Sequence, residues 1–216
     1  MLSKRLQSLT KYFNKEDNVI DIGCDHALID IYMIKNNIIN SIIVSDIHEG
    51  ALKQGINNIK LNHLKDVIEC RLGDGLNVLT DDDKIDTILI SGMGASTIID
   101  ILNNKYINNI NKLVIQSNND YEKLRRYITS IGFIITNEEY FIDNGKKYIN
   151  IIFERGTKEY SDIEYQFGPI LINNKEYIQS EIDSRVKILS NIPSDKESLR
   201  LTLNNEIKML SELISR

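Results

Sequence analysis

Short apolar runs alternate along the chain with longer stretches whose apolar residues recur every three or four positions. Leu2, Leu6, Leu9 and Phe13 fall at helical spacing and predict an amphipathic helix over 2–13. β-branched runs predict strands over 19–23, 42–46, 67–72, 87–91 and 112–117, and amphipathic stretches predict helices over about 27–36, 48–62, 95–103 and 120–131. Such alternation implies a parallel sheet with helices on both faces. Two consecutive strand-like runs, 133–142 and 148–154, flank Asp143-Asn144-Gly145, a hairpin signal that closes the sheet with an antiparallel pair.

The pattern changes after Gly156. A polar stretch over 157–166 leads to Phe167-Gly168-Pro169, and then two apolar stripes appear. Ile178, Ile182, Val186 and Leu189 form the first, and Leu199, Leu203, Ile207, Leu210 and Ile214 the second. Pro193 separates them, and Ser194 with Glu197 spells a capping box for the second helix. The spacing is that of a coiled coil, so residues 157–216 are expected to form a helical hairpin appended to an α/β domain over 1–156.

A chain of 216 residues can bury one good core and leave an appendage over. It has no secretory apolar region at its start and no run long enough to span a bilayer, so a soluble, cytoplasmic protein without membrane contact is expected. The two cysteines, Cys24 and Cys70, and the three histidines, His26, His48 and His63, form no metal-ligand spacing, so no metal is expected. The net charge of −5 argues against a protein that grips nucleic acid with its whole surface. Locally the picture differs. Lys4, Arg5, Lys11 and Lys15 precede the first acidic residue, Glu16, while Lys123, Arg125, Arg126 and Lys146-Lys147 add further positive sites. These read either as solvated helix faces or as a patch for a polyanion.

The chemistry sits at the strand ends, where ligands gather in open α/β sheets. The first strand runs Val19-Ile20-Asp21-Ile22-Gly23-Cys24-Asp25-His26-Ala27. Only Gly23 stands where a dinucleotide site needs several glycines, so a pyrophosphate is poorly accommodated and a nicotinamide oxidoreductase is disfavoured. S-adenosylmethionine (SAM) is cationic at its sulfonium and amino groups, and carboxylates suit it. Asp21 and Asp25 are placed for its methionine moiety, with Gly23 opening the turn and His26 either joining the site or capping the helix. Asp46, followed by Ile47, comes at the interval of a ribose-binding acid. Gly73-Asp74-Gly75 ends the third strand, where adenine would lie, Asp74 accepting from its amino group. Gly92-Met93-Gly94 ends the fourth, facing the methyl acceptor, and with Asp25 makes up the candidate catalytic set. No Asp/Asn-Pro-Pro-aromatic run stands there, which speaks against methylation of an exocyclic amine. These positions point to a class I Rossmann-like SAM-dependent methyltransferase.

One family resembles this chain over nearly its whole length, the bacterial tRNA adenine-22 N1-methyltransferases of the TrmK type. The resemblance rests on Leu2-Ser3-Lys4-Arg5-Leu6, Asp21-Ile22-Gly23-Cys24-Asp25-His26-Ala27, Gly73-Asp74-Gly75-Leu76, Gly92-Met93-Gly94, Gln116 with Asn118, and Phe167-Gly168-Pro169-Ile170-Leu171. It implies a Rossmann-like domain with a C-terminal coiled-coil hairpin, SAM as donor and N1 of adenine 22 in tRNA as acceptor. It further implies that Arg5 faces the substrate, holding a phosphate, and that Gln116 and Asn118 hydrogen-bond the adenine edge. The chain departs from the family pattern at Leu28, Asp30, Asp46, Ala95 and Ser117. Adenine N1 has an in-plane lone pair and needs no strong base, while the product ring is cationic and calls for acceptors, such as the carbonyls of the 92–94 loop. Alternatives are a class I methyltransferase acting on another RNA, a protein or a small molecule, and a non-catalytic SAM- or RNA-binding scaffold. A monomer or weak homodimer is expected.

Overall fold

The computed structural model describes residues 2–215. The chain divides into two compact units, one ending at Glu159 and one beginning at Tyr160.

The first unit is a seven-stranded sheet built from β1 (Val19–Ile22), β2 (Ile42–Asp46), β3 (Ile68–Leu72), β4 (Thr87–Met93), β5 (Lys112–Ser117), β6 (Phe133–Asp143) and β7 (Lys146–Arg155), in the order β3-β2-β1-β4-β5-β7-β6. The first five strands are parallel, and β7 inserts antiparallel between β5 and β6. The order reverses between β1 and β4, which opens a crevice at their carboxyl ends. Helices α2 (Leu28–Lys35), α3 (Glu49–Leu61), α4 (Ala95–Leu102) and α5 (Tyr121–Ser130) form the predicted connections. Both faces of β1 and β2 are buried, which is why their sequences read as continuous apolar runs rather than alternating ones.

Helix α1 covers Lys4–Thr10, shorter than the apolar spacing suggests. Ser3 starts it by accepting the Leu6 amide at 3.3 Å, and the chain turns after Thr10, so Phe13 enters the core from a turn. Strand β4 runs on to Met93 through a bulge at Gly92, whose φ is +82°. Glycine is the residue that takes this conformation cheaply.

Arg125 is not a surface cation. It is fully buried on α5, and its Nε donates to the equally buried Glu138 of β6 at 2.8 Å. The helical stripe alone does not announce this, because arginine on an amphipathic helix usually faces water.

The second unit begins with α6 (Asp162–Phe167), inside the stretch read as polar connection. Ser161 and Glu164 form a capping box there, the Ser161 amide donating to Glu164 at 2.7 Å. Helices α7 (Lys175–Asn191) and α8 (Glu197–Ile214) follow. Arg185 reaches Glu206 at 2.6 Å, and Arg200 donates to the carbonyls of Leu189 and Ile192 at 3.1 and 2.8 Å, so the two helices run antiparallel as a hairpin. Ser194 and Glu197 do not form the expected capping box. Helix α8 starts at Glu197 behind Lys196, which puts Ser194 too far upstream to cap it. The stripes are unevenly covered: Ile178, Leu203 and Leu210 are buried, whereas Val186 and Leu199 are about half exposed.

Breaking the buried Arg125–Glu138 pair takes a carboxylate partner from a fully buried guanidinium. Glu138→Ala is expected to cost about 3–5 kcal/mol of folding free energy, read from urea denaturation.

Candidate active site

The site grows from the loop after β1. Its backbone is fastened to β2: the Ser45 carbonyl accepts the amides of Gly23 at 2.8 Å and Cys24 at 3.0 Å, and Asp46 Oδ2 accepts the Asp25 amide at 3.1 Å. The loop needs positive φ at Gly23, Asp25 and Ala27, so it turns sharply before α2 begins. At Gly23 a Cβ would also run into the tip of the Met93 side chain, which would have to swing aside. The β1 and β4 loops therefore touch across the crevice.

The crevice is a cavity of about 550 Å³, a size that suits a nucleoside-amino-acid ligand. Arg5, Asp21, Gly23, Asp25, His26, Asp46, Ile47, Gly73, Asp74, Gly75, Gly92 and Met93, all named from the sequence, line it. Ile29, Thr97 and Ile101 add parts of the wall that no motif marked. Gly94, Gln116 and Asn118 are not on its wall. Gly94 caps α4, next to Asn119, whose Oδ1 accepts the Ala95 amide at 3.0 Å. Asn118 is exposed and holds the β4 loop from outside, its amide donating to Met93 O at 2.8 Å and its Nδ2 to Gly92 O at 2.6 Å. Gln116 is 1% exposed, with both ends of its amide bonded inside the protein, so it does not present itself to a substrate base.

The acids differ in environment. Asp46 is buried and accepts two amides, that of Asp25 and that of His48 at 2.8 Å, with the His48 ring Nδ1 3.2 Å from the same oxygen, which still leaves acceptor capacity on Oδ2 for a ligand's hydroxyl. Asp74 is exposed at the head of a 3-10 turn over Gly75–Val78 and makes no side-chain cap bond. His26 stands 3.4 Å from Asp25 at the partly exposed mouth. Asp21 is buried, and behind it Asp30 on α2 is fully buried with no donor for either oxygen. The two carboxyls can satisfy each other only by sharing a proton. Burial, followed by the neighbouring Asp30 and Asp46, holds Asp21 well above the usual carboxylate range, and burial lifts Asp30 to about 7. The cavity thus offers acceptors and an acid pair to a cationic, hydroxyl-rich ligand, a donor set that fits SAM and would repel a pyrophosphate.

A family model described as tRNA (adenine(22)-N(1))-methyltransferase matches residues 19–214. The chain belongs to that family. It is 28% identical over 185 residues to the tRNA (adenine(22)-N(1))-methyltransferase of Bacillus subtilis, an alignment that covers 82% of this chain and 77% of the relative. Among solved structures it is similar to M. capricolum TrmK in complex with S-adenosyl-homocysteine, at 28% identity and a TM-score of 0.86, covering 100% of this chain and 98% of that one. A Streptococcus pneumoniae structure in complex with SAM gives 27% identity and a TM-score of 0.89, with 99% and 100% covered. The expectations of family and of class I methyltransferase fold hold.

A family member with an acid pair under its cavity acquires a characteristic pH response. Both carboxyls are titrated higher in the folded state than in the unfolded chain, so folding favours the protonated pair and its stabilisation is lost as pH rises through about 7. The pair's contribution to the stability of the ligand-free protein is expected to fall from about pH 4, where aspartates of the unfolded chain ionise, to about pH 7, where Asp30 ionises in the folded protein, with a slope of about 1.4 kcal/mol per pH unit for each carboxyl that stays protonated. Asp30→Asn should flatten that slope in urea midpoints measured across the range.

Proposed function

We infer that the protein methylates N1 of adenine 22 in tRNA with SAM as the donor. The observation that carries this reading is the convergence of Asp21, Asp25, Asp46, Asp74 and the Gly92-Met93 loop on one cavity in a member of this family.

Asp46 receives the ribose hydroxyls through the lone pairs that the Asp25 and His48 amides leave open. Asp74 takes the adenine amino group, with Ile47 and Ile101 flanking the ring and Gly73 and Gly75 letting the backbone approach. Asp21 and Asp25, with His26 beside them, hold the methionine end, where positive charge calls for carboxylates. Bound SAM supplies a methyl group on a positively charged sulfur, which the in-plane lone pair of adenine N1 can take.

No residue has to remove a proton from the acceptor. The protein orients the base instead, and its target must first leave its tRNA contacts to enter the cavity. Gly92 and Met93 end β4 at the wall, where the Gly92 carbonyl accepts one hydrogen bond from Asn118 and keeps a second lone pair for charge that develops on the ring. Asn118 thus acts by holding this loop rather than by touching adenine. Arg5 lines the same cavity from α1 and provides a cation for a phosphate of the substrate. We take the protein to act in the cytoplasm as a monomer or weak homodimer without a metal. Among the described residues no helix is long and apolar enough to cross a membrane.

The test is methyl transfer from isotope-labelled SAM to unmodified tRNA transcripts, followed by nucleoside mass spectrometry. Labelled 1-methyladenosine is expected, and it should vanish when position 22 carries guanosine. Label in another nucleoside, or none, would overturn the reading. Asp46→Ala should weaken SAM binding by about tenfold or more in calorimetry, the scale of one or two lost hydrogen bonds to a charged acceptor. Unchanged affinity would place the ribose elsewhere.

A further inference from the structure

We propose that Gln116, Asn150 and Glu139 are positioning residues for the methyl transfer, forming a one-way hydrogen-bond relay that aims the Arg5 guanidinium at the rim of the cavity. The proposal rests on the tRNA reading above, in which Arg5 meets the substrate.

The relay begins at Glu139 on β6. Its carboxylate is an acceptor only, already bonded by Lys11 Nζ at 2.6 Å and the Tyr12 hydroxyl at 3.1 Å. Asn150 on β7 lies next, fully buried, and its Nδ2 stands 3.1 Å from Glu139 Oε2 and 2.9 Å from Ser8 Oγ. Ser8 has committed its own proton to the Arg5 carbonyl at 2.7 Å, so it too requires a donor from Asn150. Two acceptors therefore fix the Asn150 amide with its NH2 toward α1 and its oxygen toward Gln116. That oxygen in turn demands the Gln116 NH2, at 2.6 Å. Only one orientation of Gln116 remains, with Oε1 toward Arg5 Nη1 at 3.2 Å.

The orientation is thus dictated by counting donors and acceptors, and each amide is set by the group before it. The destination is specific. Arg5 Nη1 lies 3.4 Å from where a Cβ on Gly92 would stand, and the guanidinium sits over the Tyr148 ring with its carbon 5.8 Å from the centroid. Gln116 is out of reach of any substrate, yet it holds the cation that stands beside the bulged loop facing the methyl acceptor. The Arg5 amide is pinned separately by Asp143 at 3.3 Å, while Gln116 Nε2 stands 3.5 Å from the Arg5 carbonyl, so the relay directs the side chain and, with Asp143, also helps to dock the helix.

The test is a double-mutant cycle on Arg5 and Gln116, read in steady-state kinetics with tRNA and in SAM calorimetry. Gln116→Met keeps the volume and removes both polar ends. It is expected to raise KM for tRNA about tenfold, the effect of losing one well-directed charged contact, while leaving SAM affinity unchanged. In an Arg5→Ala background the same substitution should add nothing to the KM defect. Glu139→Gln is milder, since Glu139 is partly exposed and its shape is preserved. It weakens one of the two acceptors that fix Asn150 and leaves Ser8 in place, so it should raise the tRNA KM in the same sense but less than Gln116→Met, and also be silent without Arg5. Defects that multiply with Arg5→Ala, or a fall in SAM affinity alongside them, would overturn the relay and leave these residues as core packing. A wild-type protein that methylates no tRNA would instead overturn the functional reading, and the relay with it.

Discussion

The fastening of the β1 loop to β2 is the contact on which the site depends. One carbonyl, that of Ser45, takes two successive amides, and the next side chain, Asp46, takes the one after them. This fixes where α2 begins, which way Asp25 and His26 face, and how close α3 can come. At Gly55 of α3 a Cβ would stand 3.0 Å from the Asp25 carbonyl, so helix and loop meet nearly backbone to backbone. Asp46 is thereby both part of the cavity wall and part of the frame. A carboxylate suits this double duty because its two oxygens offer about four acceptor positions.

The electrostatic layout follows from the same edge of the sheet. A chain with an acidic surplus concentrates carboxylates inside its cavity, buries Asp21 against Asp30, and sets a single arginine at the rim. Acid inside and cation at the rim is an arrangement in which a cationic cofactor and a polyanionic substrate approach the same crevice without competing for the same charges.

Much of this was legible in the sequence, for identifiable reasons. Parallel strands buried on both faces leave continuous β-branched runs, and the acids and glycines that interrupt them mark the strand ends. Less legible were features set by donor and acceptor counts across the fold. Gln116 looks like an exposed strand-end amide, but it is buried because α1 and β7 close over it. Arg125 reads as a surface charge until β6 supplies Glu138. Asp30 reads as an ordinary helix residue, and only its burial behind Asp21 makes it unusual. Helix α6 has six residues, too few for periodicity to emerge, though Ser161 and Glu164 did carry its start signal.

Helix α1 has a consequence for the order in which the molecule is assembled. The side-chain hydrogen bonds that tie residues 5–12 to the strands draw on Lys112, Gln116, Glu139, Asp143 and Asn150, more than a hundred residues downstream in most cases. On a ribosome the first helix is made early and finds these polar partners only after the final hairpin has emerged. The cofactor crevice between β1 and β4 can form before that, since its strands precede the hairpin in the chain. Arg5 is therefore the last of the cavity-lining residues to be held in place, after the strands that carry the acids of the same cavity.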